Sequence, residues 1–109
     1  IARALAAAPR VLLLDEPFSS VDALTRLDLH ELIMDLWSRT GLTILLVTHD
    51  VEEAVYLSDR IVLLTRRPAQ VAEVFANTVP RPRSAVESRE DRRFLDLRHE
   101  LLTRLLKPE

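Results

Sequence analysis

Apolar and polar positions follow two rhythms along the chain. The runs Val11–Leu14 and Ile44–Val47 are wholly apolar and of strand length. Runs without alternation predict strands buried on both faces, as at the centre of a parallel sheet. Between them Leu29, Leu32, Ile33, Leu36 and Trp37 recur at i, i+3, i+4, i+7 and i+8, which predicts a helix ending at about Arg39. Asp22 is placed to cap its start and Gly41 to follow its end. Thr43–Thr48 reads as the second strand, rich in β-branched residues. Asp50, with Glu53 three residues on, forms a capping-box pattern for a short helix carrying Val51, Ala54, Val55 and Leu57. Ile61–Thr65 reads as a third strand and Arg66–Ala69 as a turn. Val71–Phe75 alternates weakly and predicts an edge strand antiparallel to the third. Asn77, Pro80, Pro82 and Ser84 make residues 76–90 an extended linker. From about Glu90 a helix resumes, with Phe94, Leu97, Leu101 and Leu105 in one stripe and Leu95, Leu102 and Leu106 flanking it. The expected fold is α/β, with parallel strands, flanking helices, an antiparallel edge strand and a C-terminal helix, joined by right-handed crossovers.

The first residues read as a helix already under way. Ala2–Ala8 has no N-cap and no acidic first turn, and Pro9 stops it. The chain is therefore expected to be cut from a longer protein. A secretory signal would need a basic start and a longer apolar core.

Composition changes this picture in three ways. Hydrophobic residues are 48% and charged residues 29%, ordinary for a globular protein. No cysteine is present, which excludes disulfides and thiolate metal sites. The net charge of −2 advertises no nucleic-acid surface. Gly41 is the only glycine, where a chain of this length ordinarily has roughly seven. A loop that cradles phosphates needs several, because a Cβ blocks close approach of backbone N–H groups to the anion. The chain cannot build such a loop from its own residues.

Three places could nonetheless carry chemistry. Asp15 and Glu16 follow the first apolar run, at the strand end where open α/β sheets bind ligands. Successive strand side chains point to opposite faces, so the two acids cannot share one task. One can face a Mg²⁺ bound to phosphates while the other holds a water; the plain alternative is that both cap a loop in solvent. His49 ends the second apolar strand and lies near the acids if the two strands are neighbours. There it can contact a phosphate oxygen or orient a water. Ser19-Ser20-Val21-Asp22 is either a helix cap or a loop facing another subunit, and both readings can hold. His30 and His99 sit within helices, and the three histidines lack metal-ligand spacing.

These residues resemble the ATP-binding-cassette (ABC) ATPases. Val11-Leu12-Leu13-Leu14-Asp15-Glu16-Pro17 looks like the family's Walker B strand, and Ser19-Ser20-Val21-Asp22 like its D-loop. Leu46-Val47-Thr48-His49-Asp50 with Glu53-Ala54 resembles its switch-histidine segment. Asp59-Arg60-Ile61-Val62-Leu63-Leu64 resembles the strand that follows, and Ala2-Arg3-Ala4-Leu5 the helix after its signature motif. The order and spacing of all five agree over residues 1 to about 65. Arg66-Arg67-Pro68, Val79-Pro80-Arg81-Pro82-Arg83 and an Arg/Leu-rich helix further resemble the nitrate, sulfonate and taurine branch of bacterial importers.

The resemblance implies the C-terminal half of a P-loop NTPase domain. Residues 1–75 would be part of the ATPase core, 76–90 a Pro/Arg linker and 91–109 an amphipathic helix. It implies ATP and Mg²⁺ as ligands, with Asp15 binding the metal mainly through water, Glu16 as general base and His49 on the γ-phosphate. Ser20 and Asp22 would lie at a dimer interface between the two nucleotide sites. The loop departs from the commoner Ser-Ala-Leu-Asp form but keeps the Asp and an apolar third position. Partners would be a second ATPase subunit, transmembrane permease subunits and, indirectly, a solute-binding protein, but no nucleic acid. The place of work would be the cytoplasmic face of the plasma membrane, as a peripheral subunit. The Walker A loop, glutamine loop and signature motif would precede Ile1. The segment alone is then expected not to bind ATP measurably, which nucleotide titration would test, and to be poorly soluble through its bare sheet edge.

Two rival readings are set aside by particular features. The ABC-type heads of DNA-repair and chromosome-maintenance proteins are interrupted by long coiled coils or end soon after the last strands; here a Pro-Arg stretch leads to a short helix without sustained heptads. A non-enzymatic α/β regulatory module of the receiver type would carry its acids on the first strand and a phosphate-accepting Asp two strands on. It would also leave His49 unexplained.

Overall fold

The computed structural model describes residues 10–64 and 68–107. The helix expected over Ala2–Ala8, Thr65 at the end of the third strand and Arg66–Arg67 of the turn lie outside the described residues. The chain divides into two compact units between His49 and Asp50.

The first unit is a strand–helix–strand: β1 (Val11–Asp15), α1 (Ala23–Thr40) and β2 (Thr43–Val47). β1 and β2 pair in parallel, with Val11 opposite Thr43 and Asp15 opposite Val47. Parallel neighbours need a crossover, and α1 supplies it. Asp22 caps α1 as expected, its Oδ1 accepting from Thr25 N at 3.0 Å. Gly41 closes it in the left-handed region, with φ 68 and its N–H donating to Trp37 O at 2.9 Å.

Nothing lies within 4 Å of where a Gly41 Cβ would stand. Gly41→Ala therefore meets no clash and carries only the left-handed backbone strain, about 1 kcal/mol. A modest fall in the thermal midpoint would report it, and an unchanged midpoint would contradict this account of the cap.

The two apolar runs differ from expectation in their cover. Leu12, Leu14, Ile44 and Leu46 are half-buried, whereas Val11, Leu13, Leu45 and Val47 are exposed, Leu13 at 61%. In a register that pairs Leu13 with Leu45, the exposed set shares one face. A central strand is covered on both faces; this ribbon, two strands wide among the described residues, is covered on one. The buried side of α1 also differs from the predicted stripe. Leu29, Ile33 and Trp37 are half-buried, but Leu32 and Leu36 are exposed and the fully buried position is His30.

The second unit contains α2 (Val51–Leu57), β3 (Arg60–Leu64), β4 (Val71–Ala76), α3 (Glu87–Glu90) and α4 (Arg92–Leu106). Asp50 caps α2 by accepting from Glu53 N at 3.2 Å. β3 and β4 form a separate antiparallel pair with a register irregularity between Leu63 and Leu64. Val55, Tyr56, Ile61, Val79, Phe94 and Leu101 form its buried apolar set. Phe94 and Leu101 belong to the predicted stripe of α4, so this helix closes the core, and Arg98 Nη1 meets Glu52 Oε1 of α2 at 3.0 Å. The Arg89 guanidinium lies 4.5 Å from the centroid of the Tyr56 ring, a cation–π contact.

Residues 77–86 carry no regular secondary structure, yet their side chains finish α2. The last carbonyls of a helix have no partner within it. Here Asn77 Nδ2 donates to Val55 O at 2.7 Å and Ser58 O at 2.9 Å. Arg81 Nη2 donates to Leu57 O at 2.7 Å. Arg83 Nη1 donates to Tyr56 O at 3.1 Å and Ser58 O at 2.6 Å, and its Nη2 to Val79 O at 3.0 Å. Two cations thus sit at the negative end of the helix. Burial pulls the Arg83 guanidinium down to about 10, and the neighbouring charge of Arg81 adds to that shift; it stays cationic at neutral pH.

Candidate functional site

The site lies at the C-terminal rim of the β1–β2 ribbon. β1 ends at Asp15, opposite Val47, and Asp15 falls on the exposed face with Leu13. At Glu16 the backbone extends the ladder by one bond, Glu16 N donating to Val47 O at 2.8 Å. It then turns sharply. Glu16 has φ 47, the one positive φ outside glycine among the described residues. A left-handed conformation at a side-chain-bearing residue costs about 1–2 kcal/mol, and such strain collects at functional positions.

The turn brings Glu16 to His49. The Glu16 Oε1 and His49 Nε2 atoms are 2.5 Å apart. A carboxylate only accepts, so the proton between them belongs on Nε2. The His49 side chain is 90% exposed and that of Glu16 32%. The pair is thus open to an incoming ligand, with the carboxylate the more sheltered partner. Equal run lengths and the parallel register make this meeting: two strands paired residue for residue end at the same rim.

The loop after Glu16 is held from inside. Ser19 N donates to Glu16 O at 3.4 Å and Val21 N to Phe18 O at 3.2 Å. Ser20 is exposed at its tip. Both carboxylate oxygens of Asp22 serve α1: Oδ1 accepts from Thr25 N, and Oδ2 accepts from Thr25 Oγ1 at 2.9 Å. These bonds hold the Asp22 carboxyl below its ordinary range, the backbone bond foremost. Among the predicted site residues, then, Glu16 and His49 touch, Asp15 precedes Glu16 on the open face, and Ser20 and Asp22 belong to the turn that follows.

Residue patterns alone did not point to Arg26, Phe18 or His30. Arg26 Nη2 donates to Phe18 O at 2.9 Å and to Val21 O at 3.1 Å. Phe18 is buried and its ring meets His30 edge-on, centroids 5.2 Å apart. Arg26 and His30 stand one helical turn apart on α1, a spacing that places both on the face below the loop. That spacing was the available signal, but an arginine four residues past a cap reads as surface charge.

With this rim described, known proteins supply the comparison. The chain is 50% identical to the nitrate import ATP-binding protein of Synechococcus elongatus over 103 residues, 94% of this chain and 16% of that protein. It is 48% identical to the nitrate transport protein of Klebsiella oxytoca, again over 94% of the chain and over 39% of the relative. The chain is homologous to the ATP-binding subunits of nitrate and sulfonate ABC importers. An aliphatic sulfonates import ATP-binding protein of Bacillus cereus is 49% identical over 77% of the chain and 34% of its own length. The chain spans well under half the length of each of these relatives. No family model matches it. The resemblance read from the five motifs therefore stands. The α/β arrangement, with its parallel pair, antiparallel pair and terminal helix, fits half of a P-loop NTPase domain of the ABC type.

Proposed function

We propose that this chain is part of the ATP-hydrolysing subunit of an ABC importer for small solutes such as nitrate, sulfonates or taurine. The observation that carries the reading is the Glu16–His49 contact at the rim of the parallel ribbon. Half-identity to import ATP-binding proteins supports it. Glu16 polarises the attacking water as general base, and His49 contacts the γ-phosphate and keeps that geometry. Ser20 and Asp22 line the interface with a second ATPase subunit. Permease subunits anchor the assembly at the cytoplasmic face of the membrane, and a solute-binding protein acts on it indirectly. In this reading attachment is peripheral; no described helix is long and apolar enough to cross a membrane. The phosphate cradle comes from residues outside this chain, whose single glycine cannot supply it.

Asp15 is the candidate magnesium ligand. Among the described residues no three His, Cys, Asp or Glu side chains gather as a metal cage. Mg²⁺ asks for less: one or two carboxylates, with waters and phosphate oxygens filling the rest. An exposed Asp15 at the rim suits that demand. When bound, the metal neutralises developing phosphate charge.

The reading is tested in the intact subunit with Asp15→Asn. Magnesium-dependent nucleotide affinity should fall by roughly tenfold or more, through loss of a hard anionic oxygen. Binding without magnesium should be unchanged. Equal affinities for wild type and variant at every magnesium concentration would remove Asp15 from the site.

A further inference from the structure

We infer that Arg26 is a positioning residue that fixes the loop between the catalytic Glu16 and the interface residues Ser20 and Asp22. The inference rests on the ATPase reading above and adds a residue to it. A single guanidinium nitrogen, Nη2, spans the loop, reaching Phe18 O at 2.9 Å and Val21 O at 3.1 Å. These carbonyls flank Ser19 and Ser20. The same segment is closed by Val21 N to Phe18 O at 3.2 Å, and Arg26 N itself donates to Asp22 O at 2.9 Å. Phe18 below is buried edge-on against His30. Arg26 and His30 therefore grip the loop from one face of α1, by its backbone and by its one buried ring.

The grip bears on chemistry because the loop starts at the strained residue. Glu16 holds φ 47 while its carboxylate meets His49. A left-handed glutamate relaxes unless its surroundings fix it. On the N-terminal side Glu16 N is tied to Val47 O. On the C-terminal side the chain is tied through Phe18 and Val21 to Arg26. Displacement of the loop would move both the water-polarising carboxylate and the subunit-facing Ser20. Arg26 touches neither reacting atoms nor nucleotide in this account, so it acts through Glu16.

The reach of Nη2 matters as well as the charge. A lysine carries the charge on a stem with different reach and cannot reproduce the guanidinium geometry. The test is steady-state ATP hydrolysis by the intact subunit, with Arg26→Met, Arg26→Lys and Glu16→Gln side by side. Arg26→Met should lower kcat roughly tenfold or more, because small misplacements of a catalytic group are costly. The KM for ATP should stay within about twofold, since nucleotide contacts are untouched. Arg26→Lys should be intermediate, with kcat down about threefold. Rates are normalised to the fraction of subunits that bind nucleotide, so lost fold is not read as lost positioning. If Arg26→Met does not fold, the Lys variant decides alone. An unchanged kcat, or a rise in KM matching the fall in kcat, overturns the inference. If Glu16→Gln is inactive while the Arg26 variants match wild type, the inference falls and the ATPase reading stands. If Glu16→Gln hydrolyses ATP at the wild-type rate, that reading fails and takes the inference with it.

Discussion

Glu16→Gln in the intact subunit is expected to cut ATP hydrolysis on the order of 100-fold or more while leaving ATP bound. Glutamine keeps the shape and removes the anionic oxygen that would take up proton density from water. It also replaces an acceptor-only group, now 2.5 Å from His49 Nε2, with a neutral amide. A 100-fold loss corresponds to about 2.7 kcal/mol of transition-state stabilisation. The affinity for ATP should change little, because in the proposed reading the phosphates are cradled by residues outside this chain. Single-turnover hydrolysis and nucleotide binding measured on one preparation separate the two effects. A fall of less than about fivefold would show that Glu16 is not the base.

The second large effect belongs to stability. Arg83→Met should destabilise the fold by about 3 kcal/mol. Arg83 is 7% exposed and donates to three carbonyls, those of Tyr56, Ser58 and Val79. Methionine fills a similar volume but donates nothing. Ser58 O keeps Asn77 as a donor, whereas Tyr56 O and Val79 O lose their side-chain partner. Hydrogen bonds from a charged donor are worth about 1.5–3 kcal/mol each, and partial relaxation brings the total below their sum. Denaturant unfolding would measure it, and a loss under about 1 kcal/mol would mean that water replaces the guanidinium at little cost.

What was legible in the residues was local. Asp22, Gly41 and Asp50 act where they were expected, because a cap depends on three or four neighbours and on backbone angles. The meeting of Glu16 with His49 was legible for a different reason. Two apolar runs of equal length, each ended by polar chemistry, align their ends once they pair in parallel.

Other features were not legible. An unbroken apolar run does not state how many neighbours cover it, so the exposed face of Leu13 and Leu45 could not be foreseen. The buried side of α1 centres on His30, and periodicity assigns a histidine to the polar class. The residue pattern assigned Arg26 no role and placed Arg83 only within a Pro/Arg motif. Each is instead a donor to backbone carbonyls, and backbone acceptors leave no mark in a pattern of side chains.

The ties between α2 and the Pro/Arg stretch carry a consequence for how the chain is made. Carbonyls at residues 55–58 receive their side-chain donors from positions 77, 81 and 83, 19 to 27 places later. While the ribosome is still adding those residues, the helix after His49 has a start signal but no finished end. Contacts so distant along the chain form late. The last turn of α2 should therefore set only after the Pro80–Arg83 stretch has emerged.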